Sequence, residues 1–166
     1  MKLVLGADHG GFKLKEAVKS WLINSAYSVV DVGALKLEKE DDFVDYATLA
    51  AVEVANDEQA MGILFCRNGL GMMIAANRFP KIRCGVGFDG GAVERGRSDD
   101  DINCLAVPAD YLSEKEAKKM IEIFLRTKFS GKEKYKRRLI KIENLGSDLS
   151  GRGCCGGGHC HRDLPD

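Results

Sequence analysis

The sequence carries no surplus of either charge: 25 Lys and Arg residues balance 25 Asp and Glu residues over 166 positions. A protein held to a polyanion by electrostatics needs a basic excess, so no nucleic-acid partner is expected. Long apolar runs are missing as well. Leu3-Val4-Leu5, behind Met1 and Lys2, falls far short of the roughly 20 apolar residues of a membrane span and lacks a signal-peptide layout. No membrane partner and a cytoplasmic location are the expectations. The chain also lacks a fixed-period repeat, the Walker lysine pattern and the full dinucleotide-binding fingerprint.

With 45% hydrophobic and 30% charged residues, the chain can bury an ordinary core in one domain. Of its six cysteines, Cys66, Cys84 and Cys104 lie in apolar, strand-like runs and Cys154, Cys155 and Cys160 lie near the end. In a reducing compartment the first three read as thiols.

Apolar runs alternate with amphipathic stretches from the first residue to about Lys141, the pattern of strand-helix units around a parallel sheet. Five strands are expected, at Lys2–Ala7, Tyr27–Val32, Met61–Cys66, Ile82–Phe88 and Ile102–Val107. Each is too continuously apolar to be half exposed. Helical stripes appear at Leu14, Val18, Trp21 and Leu22, and again at Phe43, Ala47, Ala50 and Val54. Ser113 and Glu116 form a capping box ahead of Ala117, Met120, Ile121, Phe124 and Leu125. A last helix over 132–144 sets Tyr135, Leu139 and Ile142 on one side and Lys134, Arg137, Arg138 and Lys141 on the other. Residues 1–145 are read as the domain and 146–166 as a flexible Gly/Cys/His tail.

Ligands of open parallel sheets bind at the carboxyl ends of strands, so the residues just beyond each strand are the candidates. After the first strand come Asp8 and His9, followed by Gly10 and Gly11, which let the backbone turn into a helix. Taken alone, Asp8 reads as a helix N-cap and His9 as a satisfied loop histidine. After the third strand, Cys66 is followed by Arg67-Asn68-Gly69-Leu70-Gly71 and an apolar helix. Such a turn exposes backbone N–H groups at a helix start and can hold an oxyanion, and the same field favours a thiolate at its edge. Cys66 is therefore a candidate nucleophile or general base, against the plainer reading of a small buried apolar residue. The run Asp99-Asp100-Asp101 is read as a solvated cap on a loop rather than a cation site. A thiol beside an anion-holding turn, an Asp-His pair and a cationic helix suit a small phosphorylated carbonyl compound, with Lys134 and Arg137 on its phosphate.

The motifs Gly6-Ala7-Asp8-His9-Gly10-Gly11-Phe12, Asp42-Phe43-Val44-Asp45-Tyr46-Ala47, Gly62-Ile63-Leu64-Phe65-Cys66, Gly69-x-Gly71 and Ile74-Ala75-Ala76-Asn77 resemble, in this order, the type B ribose-5-phosphate isomerase family, which also holds the galactose-6-phosphate isomerase subunits. The resemblance runs from Met1 to about Asn144. It implies a Rossmann-like three-layer α/β/α sandwich, a homodimer with active sites at the subunit interface, and aldose-ketose isomerisation of a sugar phosphate through a cis-enediolate without metal or other cofactor. It also implies roles. Cys66 matches the base that moves a proton between C1 and C2, and the amides of Arg67, Asn68, Gly69, Leu70 and Gly71 match the hole for the enediolate oxygen. Asp8 and His9 match groups that hydrogen-bond the sugar or its phosphate, and Arg137 matches a phosphate-binding arginine.

Several positions depart from the family pattern. Arg67-Asn68-Gly69 stands for Gly-Thr-Gly, and Phe43 and Asp45 stand for Tyr and His. Asp99-Asp100-Asp101-Ile102-Asn103 replaces His-Asn-x-x-Asn, which puts Asp99 where the family has its ring-opening histidine and keeps Asn103. Asp99 could act as that base if its pKa were raised in the cleft. An acyclic substrate needs no ring opening. Lys134-Tyr135 stands for Arg-His and Asp110 for a basic residue. The tail's Cys154, Cys155, His159, Cys160 and His161 could approach a zinc or copper ion, but their spacing matches no standard structural site.

Overall fold

In a computed structural model of the chain, which describes residues 1–145, the order is β1 (Lys2–Ala7), α1 (Phe12–Asn24), β2 (Ser28–Asp31), α2 (Phe43–Ala55), β3 (Ala60–Cys66), α3 (Leu70–Ala76), β4 (Cys84–Val86), α4 (Gly90–Asp100), β5 (Cys104–Pro108), α5 (Glu114–Arg126) and α6 (Glu133–Glu143). The five strands form one sheet in the order β2-β1-β3-β5-β4, and every pairing is parallel.

Alternate residues of each strand point to opposite faces, and the core divides accordingly. Leu3, Leu5, Ile63 and Phe65 pack with Val18 and Leu22 of α1 and Ile121 and Phe124 of α5. Val4, Leu64, Cys66 and Ala106 pack with Ala47 and Ala50 of α2 and Met72 of α3. The result is the three-layer α/β/α sandwich. The capping box at Ser113 is formed as expected: its side chain accepts from Glu116 N–H, and the Glu116 carboxylate accepts from Ser113 N–H.

The structure departs from the sequence reading at several points. The edge strand β2 has no fully buried residue, so it is half exposed rather than covered on both faces. Strand β4 spans only Cys84–Val86, at the sheet edge. The segment between β4 and β5 is the helix α4, so the acidic run is not on a loop: Asp99 and Asp100 end that helix, and Asp101 caps it in a left-handed conformation, φ 47°. Arg97 and Arg83 each reach the Asp101 carboxylate at 2.8 Å, which offsets acids at the negative end of the helix dipole. Finally, α1 buries Lys15 completely, among residues read as an apolar stripe. Its ammonium donates to Asp31 Oδ2 at 2.7 Å and to the Ala34 carbonyl at 2.8 Å, tying α1 to the exit of β2. The tail, with its metal-binding candidates, lies outside the described residues.

Candidate active site

The carboxyl ends of β1 and β3 lie side by side. Ala7 pairs with Phe65, so Asp8 and Cys66 follow at the same level of the sheet. Glycines allow their loops to touch. A Cβ on Gly10 would fall 2.6 Å from Arg67 Cγ, and one on Gly11 would fall 2.3 Å from the Phe65 carbonyl oxygen. Neither glycine has a positive φ. Their role is close approach of the α1 start to β3, not the conformational freedom expected of them.

Asp8 is buried, and its Oδ1 accepts from Gly11 N–H at 3.0 Å. The N-cap of α1 is Gly11 itself, so Asp8 braces the turn from three residues upstream. Burial, first, and the Asp41 charge push its carboxyl above the usual range, against Gly11 N–H and His9, which lower it.

Cys66 ends β3 with 5% of its surface exposed, facing the α2 and α3 layer. Its Sγ accepts from Gly69 N–H at 3.2 Å. Gly69, the N-cap of α3, is in the left-handed region, φ 77°, which an L side chain rarely adopts. Leu70 N–H is taken by Asn68 Oδ1 at 3.0 Å. Two of the amides expected to hold a substrate oxygen are thus engaged within the turn, one of them on the thiol itself. Phe43 lies against Gly71, where a Cβ would meet its ring at 2.9 Å. The Arg67 side chain is 69% exposed and stands 3.7 Å from Asp110.

Asp41, which sequence reasoning missed, closes the other side. Its Oδ1 accepts from His9 N–H at 3.0 Å and lies 2.6 Å from His9 Nδ1. Its Oδ2 is buried with no hydrogen bond of ordinary geometry. Tyr46 also hydrogen-bonds the Asp41 carboxylate, and its phenol is pushed up by burial first, then by the Asp41 charge and by that bond. No local pattern marks Asp41, since its partner is 32 residues away.

The remaining expected site residues lie elsewhere in this chain. Helix α4 leaves the carboxyl end of β4 and returns to the amino end of β5, so Asp99 lies at the amino-terminal pole of the sheet. Far from being raised, the Asp99 pKa is lowered: burial alone would push it up, but hydrogen bonds from Ser98 and Tyr135 and the charges of Arg95 and Lys132 outweigh it. Asn103 lies at the same pole and clips the chain ahead of β4. Its Oδ1 accepts from Arg83 N–H at 2.9 Å and its Nδ2 donates to the Lys81 carbonyl at 2.8 Å. Both polar atoms of the Asn103 amide are thus engaged within the chain. Lys134 and Arg137 are on α6, which is joined to this pole through Tyr135 and Lys132 around Asp99. Glu143, on the last turn of the same helix, lines a cleft there with Lys81, Arg83 and Asp101. One chain therefore brings together Asp8, His9, Arg67 and Cys66 with the turn 68–71, and leaves Asp99, Asn103, Lys134 and Arg137 at the opposite end.

A parallel α/β sheet that sets a thiol, a buried carboxylate and an imidazole at adjoining strand ends gathers groups suited to proton transfer on a small ligand. Comparison with known proteins makes the class specific. Residues 3–142 match the Ribose/Galactose Isomerase family. The chain is 32% identical to the 4-deoxy-4-sulfo-D-erythrose isomerase of Clostridium sp. (strain MSTE9), over 85% of this chain and 89% of that protein. Its fold matches the crystal structure of a Thermotoga maritima ribose 5-phosphate isomerase at a TM-score of 0.83 and 34% identity, covering 87% of this chain and 98% of that one. It also matches ribose-5-phosphate isomerase B of Mycoplasma genitalium with bound ribulose-5-phosphate, at a TM-score of 0.84 and 27% identity, covering 89% and 97%. The chain belongs to the Ribose/Galactose Isomerase family and is an aldose-ketose isomerase of sugar phosphates.

Proposed function

We propose that the substrate is ribose 5-phosphate, converted to ribulose 5-phosphate by proton transfer between C2 and C1 with Cys66 as the base. The thiolate takes the C2 proton of the open-chain aldose, leaving an enediolate whose negative charge develops on O1. The protonated sulfur returns the proton to C1, and the O2 hydroxyl proton passes to O1, giving the ketose. The observation that carries this reading is the Gly69 N–H donated to Cys66 Sγ at 3.2 Å, which fixes the sulfur at the end of β3, at the sheet level where β1 runs out into Asp8. Arg67, Asn68 and Gly71 supply the amides that face the substrate oxygen, and Asp8 and His9 hydrogen-bond the sugar.

A second copy completes the site. With Asp99, Lys134 and Arg137 at the pole opposite Cys66, a homodimer that sets the amino-terminal pole of one protomer against the carboxyl-terminal pole of the other brings the phosphate-binding cations to the thiol. Ile140 and Ile142 on α6 and Leu70 and Ile74 on α3 support this reading, since they are large apolar side chains left exposed in the single chain. A cytoplasmic location agrees with the free thiols Cys66, Cys84 and Cys104.

One observation favours a second reading. Asp99 replaces the ring-opening histidine and its pKa is lowered, which weakens it as a base for an anomeric hydroxyl. A four-carbon substrate that cannot close a furanose would not need that base, and one relative isomerises 4-deoxy-4-sulfo-D-erythrose. Rates on ribose 5-phosphate, on tetrose and hexose phosphates and on that sulfonate separate the readings. Ribose 5-phosphate turnover at the highest kcat/KM supports the first. Turnover confined to the four-carbon compounds replaces it with the second, and binding of these compounds with no turnover of any overturns both.

A further inference from the structure

The most unusual polar contact of the crevice is the one between His9 and Asp41. A carboxylate accepts hydrogen bonds and does not donate them. At 2.6 Å from Asp41 Oδ1, His9 Nδ1 must therefore carry the proton, and Nε2 is the nitrogen left for another partner. The same oxygen takes His9 N–H at 3.0 Å, so backbone and ring of residue 9 are fixed by one atom. The Asp41 side chain is 5% exposed and the His9 side chain 27% exposed, which places the carboxylate behind the ring and leaves part of the ring open. Burying a carboxylate is costly unless its oxygens are hydrogen-bonded, and the groups gathered on Asp41 are the backbone and ring of His9 and the Tyr46 side chain. A carboxylate used only to pin the 32–42 connection would be cheaper at the surface, where its neighbours Glu38, Glu40 and Asp42 lie.

On the reading that this crevice is the isomerase site, we propose that Asp41 is a positioning residue. It holds His9 in the Nδ1–H form with Nε2 presented to the substrate, through the carboxylate-imidazole contact across the β1 and β2 exits. The logic is that of histidines whose second nitrogen is oriented by a carboxylate. The resemblance gives His9 a hydrogen bond to the sugar or its phosphate rather than to the reacting carbons. Losing its orientation should therefore weaken binding more than the chemical step.

The test uses the full chain labelled with nitrogen-15 at histidine. Only three imidazoles are present, His9, His159 and His161, and a His9→Gln variant assigns the resonance of interest. Above the usual histidine pKa, wild-type His9 should show a protonated Nδ1, and Asp41→Ala should move the proton to Nε2. For ribose 5-phosphate, Asp41→Ala should raise KM about tenfold, with kcat within about threefold. Asp41→Asn, whose amide oxygen can accept both bonds, should restore KM to within about threefold. A bare Nδ1 in the wild type overturns the proposal. So does an Asp41→Ala enzyme whose ring has switched form while KM stays within about twofold. If Asp41→Ala does not fold, the wild-type spectrum and the Asn variant decide. If the wild type does not turn over ribose 5-phosphate, the substrate assignment fails, while the nitrogen spectrum still judges the pairing.

Discussion

The buried Lys15 is the feature least expected of an amphipathic helix, and replacing Asp31 tests what holds it there. Lys15 is fully buried and shares Asp31 Oδ2 with Lys19, each at 2.7 Å. In Asp31→Asn the ammonium keeps the Ala34 carbonyl at 2.8 Å and a partly exposed Glu16 at 2.8 Å, but loses the less exposed of its two counter-charges. Breaking a buried pair from one side costs about 3–5 kcal/mol. For a domain of this size that corresponds to a fall in Tm of roughly 6–20 °C. Lys15→Met should cost less, about 2 kcal/mol, chiefly for the orphaned Ala34 carbonyl. Asp31 would still hold Lys19 and Gly33 N–H. The double variant should cost less than the sum, by about 1–3 kcal/mol. The pH dependence has a defined sign. Burial pushes the Asp31 carboxyl up, but hydrogen bonds from Lys15 and Lys19 outweigh it and leave the pKa lowered. Its stabilisation is therefore present above the unfolded pKa and is lost as pH falls through the folded one. Urea titrations across that acid range should show the gap between wild type and Asp31→Asn closing below about pH 4. An Asp31→Asn chain within about 1 kcal/mol of wild type at neutral pH would refute the reasoning.

Other perturbations have equally definite outcomes. Asp8 is the opposite case: its raised pKa gives a contribution that is full below the unfolded pKa and lost as pH rises through the folded one. Asp8→Asn keeps an acceptor for Gly11 N–H and should raise Tm at neutral pH, an advantage that disappears below about pH 4; a lower Tm at neutral pH would contradict this. Gly11→Ala puts a Cβ 2.3 Å from the Phe65 carbonyl oxygen and should destabilise by about 3 kcal/mol in denaturant unfolding, whereas a neutral effect would show that α1 can move off β3. Ser113→Ala removes the formed capping box and should cost about 1 kcal/mol.

The elements with strong local signals were legible in the sequence. The runs of β1 and β3, the stripes of α1 and α2 and the Ser113-Glu116 box specify their structure within a few residues. Helix α4 was not legible: Gly90, Gly91 and Gly96 are weak helix formers, and Val93 is its one buried residue. That omission hid the topology, because a helix returning from β4 to β5 is what carries Asp99 and Asn103 away from Cys66. Lys15 and Asp41 were illegible for another reason. Each is explained by a partner distant in sequence, at a separation of 16 residues for Lys15-Asp31 and 32 for Asp41-His9. Asp41 also lies in a charged stretch, Glu38-Lys39-Glu40-Asp41-Asp42, that reads as solvated loop.

The base at Cys66 is tested most directly by proton exchange. In heavy water, wild-type enzyme with ribose 5-phosphate should exchange the transferred hydrogen with solvent and form ribulose 5-phosphate. Cys66→Ala, which removes the sulfur and leaves the strand, should lose both by at least about 100-fold while keeping its fold by circular dichroism. Deuterium incorporation and turnover persisting at the wild-type rate in that variant would contradict the assignment of the thiol as the group that moves the proton.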